Sequence, residues 1–115
     1  MPAEAHEWTP FYAEVPSMRG SEGGVIIADE EYDGAARITL ESGANTAPFA
    51  ITCGVYGWMV HTRFFADERS ARRAFVDMKM ELARIVDRLP DGADLHDSHI
   101  RDVSAAISSF VERFP

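Results

Sequence analysis

The stretch "VIIADEEYDGAARITLE", Val25 to Glu41, decides the fold class. Two runs of period-two character flank Asp33-Gly34, the dipeptide that a two-residue hairpin turn prefers because it tolerates positive φ. In the second run Ala36, Ile38 and Leu40 share one face while Arg37, Thr39 and Glu41 share the other. That is the alternation of a half-buried antiparallel strand. A two-residue turn also sets Glu30 opposite Arg37.

Downstream, "SGANTAP" reads as a loop before a third strand, Phe49 to Val55, and a fourth, Trp58 to Phe65. Beyond Ala66 the period lengthens. Ala71, Phe75, Met78, Leu82, Ile85 and Leu89 recur at spacings of three and four, the stripe of an amphipathic helix. Asp67 is placed to cap its start and Pro90 to end it. After "PDGADLHD" the stripe repeats at Ile100, Val103, Ile107, Phe110 and Phe114, with Asp97 or Ser98 available as the cap. One apolar sheet face and two apolar helix stripes predict an α+β fold. Its form is a four-stranded antiparallel β-meander with two C-terminal helices packed on one face, a two-layer sandwich.

Upstream, residues 1 to 24 form an arm that carries Pro2, Pro10 and Pro16 and ends in "SMRGSEGG". Trp8, Phe11 and Tyr12 make it too apolar for a disordered tail. The arm is expected to pack, on its own chain or on a neighbouring subunit. Residues 25 to 115 make the single α+β domain.

Composition narrows the function classes. With 115 residues the chain can bury one core without staples. Nineteen acidic against eleven basic side chains give a formal charge of -8, which repels a phosphate backbone and argues against nucleic acid. The single cysteine cannot form an internal disulfide, and "MPAEAHEWTP" lacks the basic start and apolar run of a secretory signal. A cytoplasmic protein is expected. No apolar run approaches the roughly 18 residues of a membrane span, so no membrane partner is expected either.

The sharpest chemical lead is "ITCGVYGWMVHTRFF", Ile51 to Phe65, which holds Cys53 and His61 around a glycine-flanked turn. An even loop of two or four residues makes the apolar sets coincide, Phe49, Ile51, Cys53 and Val55 with Trp58, Val60 and Phe64. His61 then lies on the opposite face. An odd loop, such as three residues with Gly57 left-handed, brings Cys53 and His61 to one face but misplaces that hydrophobic set. The hydrophobic pattern favours the even register, with Cys53 as a small core residue.

In that register the polar sheet face gathers Arg37, Glu41, Thr52, His61 and Arg63, together with Thr39. These are the candidate ligand-binding residues, suited to a small anionic ligand, with His61 as an acid or base if the protein is an enzyme. Met59 and Phe65 on the same face suggest that something covers it. With Trp8, Phe11 and Tyr12 of the arm they are the interface candidates, and an exposed Tyr56-Trp58 tip would suit a contact surface too. Asp91, Asp94, His96, Asp97, His99 and Asp102 cluster, but their spacing fits turn formation and capping better than any metal motif. No metal and no cofactor is expected. The residues as a whole predict a non-catalytic binding or interaction module that self-associates as a homo-oligomer.

Overall fold

A computed structural model of the chain describes residues 7–11, 19–89 and 97–115. It shows an α+β fold with five antiparallel strands and two helices. The elements are β1 (Trp8–Pro10), β2 (Val25–Tyr32), β3 (Ala36–Ser42), β4 (Phe49–Val55), β5 (Met59–Phe65), α1 (Glu68–Asp87) and α2 (Asp97–Arg113). The strands form one sheet in the order β1-β2-β3-β4-β5, a continuous meander.

The expected four strands become five because part of the arm joins the sheet: Trp8 pairs with Tyr32 and Pro10 with Glu30. Three residues ending in proline are too few to show a period of two. Trp8 packs on Tyr32 at 5.3 Å between ring centroids. Phe11 lies on the other side of the sheet, under the Arg37 guanidinium at 3.9 Å. These two aromatic residues of the arm therefore pack on their own chain, whereas Tyr12 lies outside the described residues.

Both hairpin loops differ from the sequence expectation by one residue, and for a shared reason. Tyr32 pairs with Ala36, and Val55 with Met59, so each loop has three residues. In the first, Asp33 and Gly34 both take positive φ and the Ala35 N–H donates to Tyr32 O at 2.9 Å. In the second, Gly57 takes φ +82 and the Trp58 N–H donates to Val55 O at 2.8 Å. In each case one residue follows the left-handed glycine before the ladder resumes, as in bulged three-residue hairpins.

The extra residue changes what faces what. Arg37 pairs with Glu31 rather than Glu30, and Glu30 turns to the helix side, where its carboxylate meets Lys79 Nζ at 2.6 Å. In β5 the inward set becomes Met59, His61, Arg63 and Phe65, and Val60, Thr62 and Phe64 face outward.

The core lies between the sheet and the helices. Tyr32, Ile38, Leu40, Ile51, Cys53 and Val55 meet Ala71, Phe75, Met78, Leu82 and Ile85 of α1. Val103 and Phe110 of α2, with Phe114 beyond it, complete the cluster. Full burial of each large apolar side chain contributes roughly 1.5–3 kcal/mol. The α1 stripe is the one its spacing predicts from Ala71 to Ile85, joined by Ala74 and Val86, whereas Leu89 lies past the end of the helix and is only half-buried; Asp67 caps the helix by accepting from Ser70 N–H at 2.8 Å. Pro90 lies outside the described residues. Tyr32 locks β2 to the far end of α1 by donating to Asp87 Oδ1 at 3.0 Å. No helix among the described residues is long and apolar enough to cross a membrane.

Candidate functional site

Both helices pack on one face of the sheet, which leaves the other face to be shaped by its own side chains and by the segment that precedes β2. That segment crosses the outer face because Glu41 holds it there. Glu41 is fully buried, and its carboxylate accepts from Gly24 N–H at 2.8 Å and Glu22 N–H at 3.3 Å. The glycines make the approach feasible: a Cβ on Gly20 would sit 2.5 Å from the Glu41 carboxyl carbon, and one on Gly24 would sit 2.4 Å from Ser42 O. Ser21 Oγ lies 3.2 Å from Thr52 Oγ1, which in turn lies 3.3 Å from Thr62 Oγ1. A line of hydroxyls thus runs from the segment across β4 to β5.

A groove of about 750 Å³ results. Arg19 to Ser21 form one wall, the tip from Tyr56 to Val60 forms the other, and Arg37, Thr39, Thr52 and Gly54 form the floor. Gly54 bares the floor between its neighbours, and a Cβ there would lie 3.1 Å from Met59 O. The volume falls within the range of small-molecule sites. The charge on the floor is already balanced. Arg37 donates through Nε and Nη2 to Asp29 at 2.9 and 2.7 Å, a bidentate pair, while its other side stacks on Phe11. Tyr56 donates to Glu31 at 2.9 Å, and burial with this hydrogen bond pushes its hydroxyl up to about 12.

His61 and Arg63 stand on the other side of the sheet, separated from Arg37, Thr39 and Thr52. The His61 ring meets the Phe114 carbonyl through Nε2 and packs edge-on against Phe110 at 6.3 Å. A carbonyl only accepts, so Nε2 carries the proton. Arg63 donates through Nε to Pro115 O at 3.1 Å, and its guanidinium lies over Phe65 at 4.9 Å and Phe114 at 5.3 Å. Both side chains tie β5 to the chain end beyond α2, through a hydrogen bond to a backbone carbonyl and through contact with its aromatic rings.

Cys53 and His61 do face each other, since the three-residue loop makes them direct partners across β4 and β5. Their chemistry does not combine. Cys53 is 2% exposed and burial pushes its thiol up to about 12, far from a thiolate nucleophile at neutral pH. The His61 nitrogen that reaches a partner is committed to the Phe114 carbonyl.

No protein-family model, curated protein or solved structure matches this chain.

Among the other sequence candidates, Met59 and Phe65 lie on the helix side, half-buried against the core. Asp91, Asp94 and His96 fall outside the described residues, and the described residues hold no group of three or more metal-ligating side chains. His99 and Asp102 lie on α2 beside a shallow cavity shared with Arg88. Sequence reasoning missed the groove walls, Arg19, Ser21 and Val60. The signal for them was present in the glycines of "RGSEGG" and in Gly54, the one residue of its strand without a side chain.

Proposed function

We propose that this protein is a non-catalytic interaction module that self-associates and uses the side of its sheet opposite α1 and α2 as its working region. The observation that supports this most directly is the exposure of apolar side chains there: Val60 is 79% and Phe64 48% exposed, with Tyr56 at the hairpin tip. Isolated exposed apolar residues are ordinary, but two large ones on one strand beside a groove mark a contact surface. The groups with the most reactive potential, Cys53 and His61, serve packing and the anchoring of α2. With one buried thiol and no disulfide to form, the module belongs in the cytoplasm in this reading.

Binding of a small anion around Arg37 has weaker support. His61 and Arg63 lie across the sheet, and Asp29 already neutralises Arg37. Native mass spectrometry and light scattering of the untagged protein over a concentration series test the proposal. A dimer or higher oligomer with no retained mass is the expected result. A monomer at every concentration, carrying a bound small molecule, would replace self-association with ligand binding in the groove.

A further inference from the structure

Resting on that reading of self-association, we propose that two copies join edge to edge through β5, antiparallel, about a two-fold axis beside Thr62. The two edges of this sheet are unlike. β1 has three residues and ends in Pro10, which has no N–H to offer, so that edge is blunted. β5 has seven residues, Met59–Phe65, in unbroken register with β4, and it contains no proline, glycine, lysine or carboxylate. Short length, proline, bulges and charge are the usual protections of an edge, and β5 has only Arg63, which is turned to the helix side.

In an antiparallel strand every second residue aims its N–H and C=O away from its partner. Among the described residues, no hydrogen bond reaches the β5 backbone from the side away from β4. A polar backbone row beside Val60 and Phe64 is what an added strand satisfies.

The occupant is a second copy because this edge adds no negative charge to repel an acidic chain and matches its own copy in symmetry. Each chain carries a formal charge of -8, so most approaches of two copies are repulsive. β5 is an exception, with one positive charge and no negative one. A two-fold axis that pairs antiparallel strands stands normal to the sheet and keeps each face on its own side. Directly opposed residues must then share a face, which places the axis beside a residue and not between two. An axis beside Thr62 pairs all seven residues of β5, more than any other centre. Val60 then lies opposite Phe64 of the second copy, Thr62 opposite Thr62, and Arg63 opposite His61, with no like-charged pair. Both helix layers fall on the same side of a ten-stranded sheet, and the two grooves open together on the other.

Cysteine cross-linking tests the register on the full chain. Cys53 is buried and can be left in place. Thr62→Cys puts two thiols on directly opposed residues and should yield a disulfide-linked dimer under mild oxidation. Val60→Cys leaves its thiols four residues apart along the strands, about 13 Å, beyond disulfide reach, and should not. Val60→Lys, at a side chain too exposed to matter to folding, should weaken the dimer at least tenfold by light scattering. Val76→Lys, on the exposed face of α1, should leave it unchanged. A dimer that survives Val60→Lys and fails to cross-link through Thr62→Cys, yet dissociates in Tyr56→Lys, would overturn the edge while keeping self-association. A wild-type monomer at all concentrations would overturn both.

Discussion

Replacing Glu41 by alanine removes the carboxylate around which the segment before β2 is wrapped. A hydrogen bond to a charged acceptor contributes about 1.5–3 kcal/mol, and a buried N–H left without a partner costs about 1–3 kcal/mol. Glu41 accepts from Gly24 N–H, which is buried, and from Glu22 N–H, which is longer and partly exposed. The native carboxylate bears its own desolvation cost, which offsets part of the gain. Truncation should therefore cost about 3 kcal/mol, a large share of the roughly 5–15 kcal/mol that holds a domain folded. Glu41→Gln keeps the shape and one oxygen but turns an amide donor toward a backbone donor, so it should cost about half as much. Urea unfolding at neutral pH measures both variants, and hydrogen exchange at the Gly24 amide shows whether the loss is local. A Glu41→Ala protein within about 0.5 kcal/mol of wild type, or an unchanged Gly24 exchange rate, would refute the assignment of Glu41 as the anchor, since ordinary surface substitutions fall in that band.

The same contact predicts that Gly24→Ala destabilises more than Gly20→Ala, because the added methyl meets the Ser42 backbone in the first and a side chain in the second; unfolding midpoints decide it. Cys53 should resist alkylation in the native protein at pH 8 and react only as fast as the fold opens. Tyr32 and Cys53 are both raised to about 12, Tyr32 by burial and then by its bond to Asp87. Groups raised in the folded state stabilise fully below their unfolded values and lose that contribution as pH rises toward the folded ones. The unfolding midpoint should therefore fall between about pH 9 and 12. Asp67 has the opposite sign: the Ser70 N–H and then the Ser70 hydroxyl hold it low, so its capping contribution is present above about pH 4 and is lost in acid. Asp67→Ala should flatten that acid limb. His61→Ala and Arg63→Ala should each cost about 1 kcal/mol and speed exchange at the end of α2, without touching the groove.

The sequence made most of the fold legible, through features that act locally. Asp67 caps α1 because an oxygen three residues before Ser70 N–H is a short-range fact, and the stripe from Ala71 to Ile85 needs only its own spacing. Ile38 and Leu40 alternate with Arg37 and Thr39 on a central strand covered on one face, where the period is clean. β5 misled because it is an edge. Its inward side is finished by His61, whose ring meets Phe110, and Arg63, whose guanidinium lies over Phe114, while Val60 and Phe64 turn outward. Counting apolar residues assigned such a strand backwards. The arm hid its strand because Trp8–Pro10 is short, and Glu41 read as one more outward-facing charge until the glycines of residues 20 to 24 showed what it holds.

One residue in each hairpin accounts for where the chemistry went. Had the Gly57 loop closed with two residues, His61 and Arg63 would share a face with Arg37 and Thr52, and a cationic floor for an anion would exist. With Trp58 inserted after Gly57, His61 and Arg63 pass under the sheet to hold the carbonyls beyond α2, and the outer strip is left uncharged. The first hairpin acts in the same direction: Ala35 shifts Glu30 to Lys79 and leaves Arg37 to Asp29, so the remaining cation on the floor is paired within its own sheet. An anion site needs net positive charge that the protein has not already used. A surface for a second copy of an acidic chain needs the reverse, balanced charges and unpaired backbone. On β5 the three-residue loop before it turns the uncharged residues Val60, Thr62 and Phe64 to the outer face.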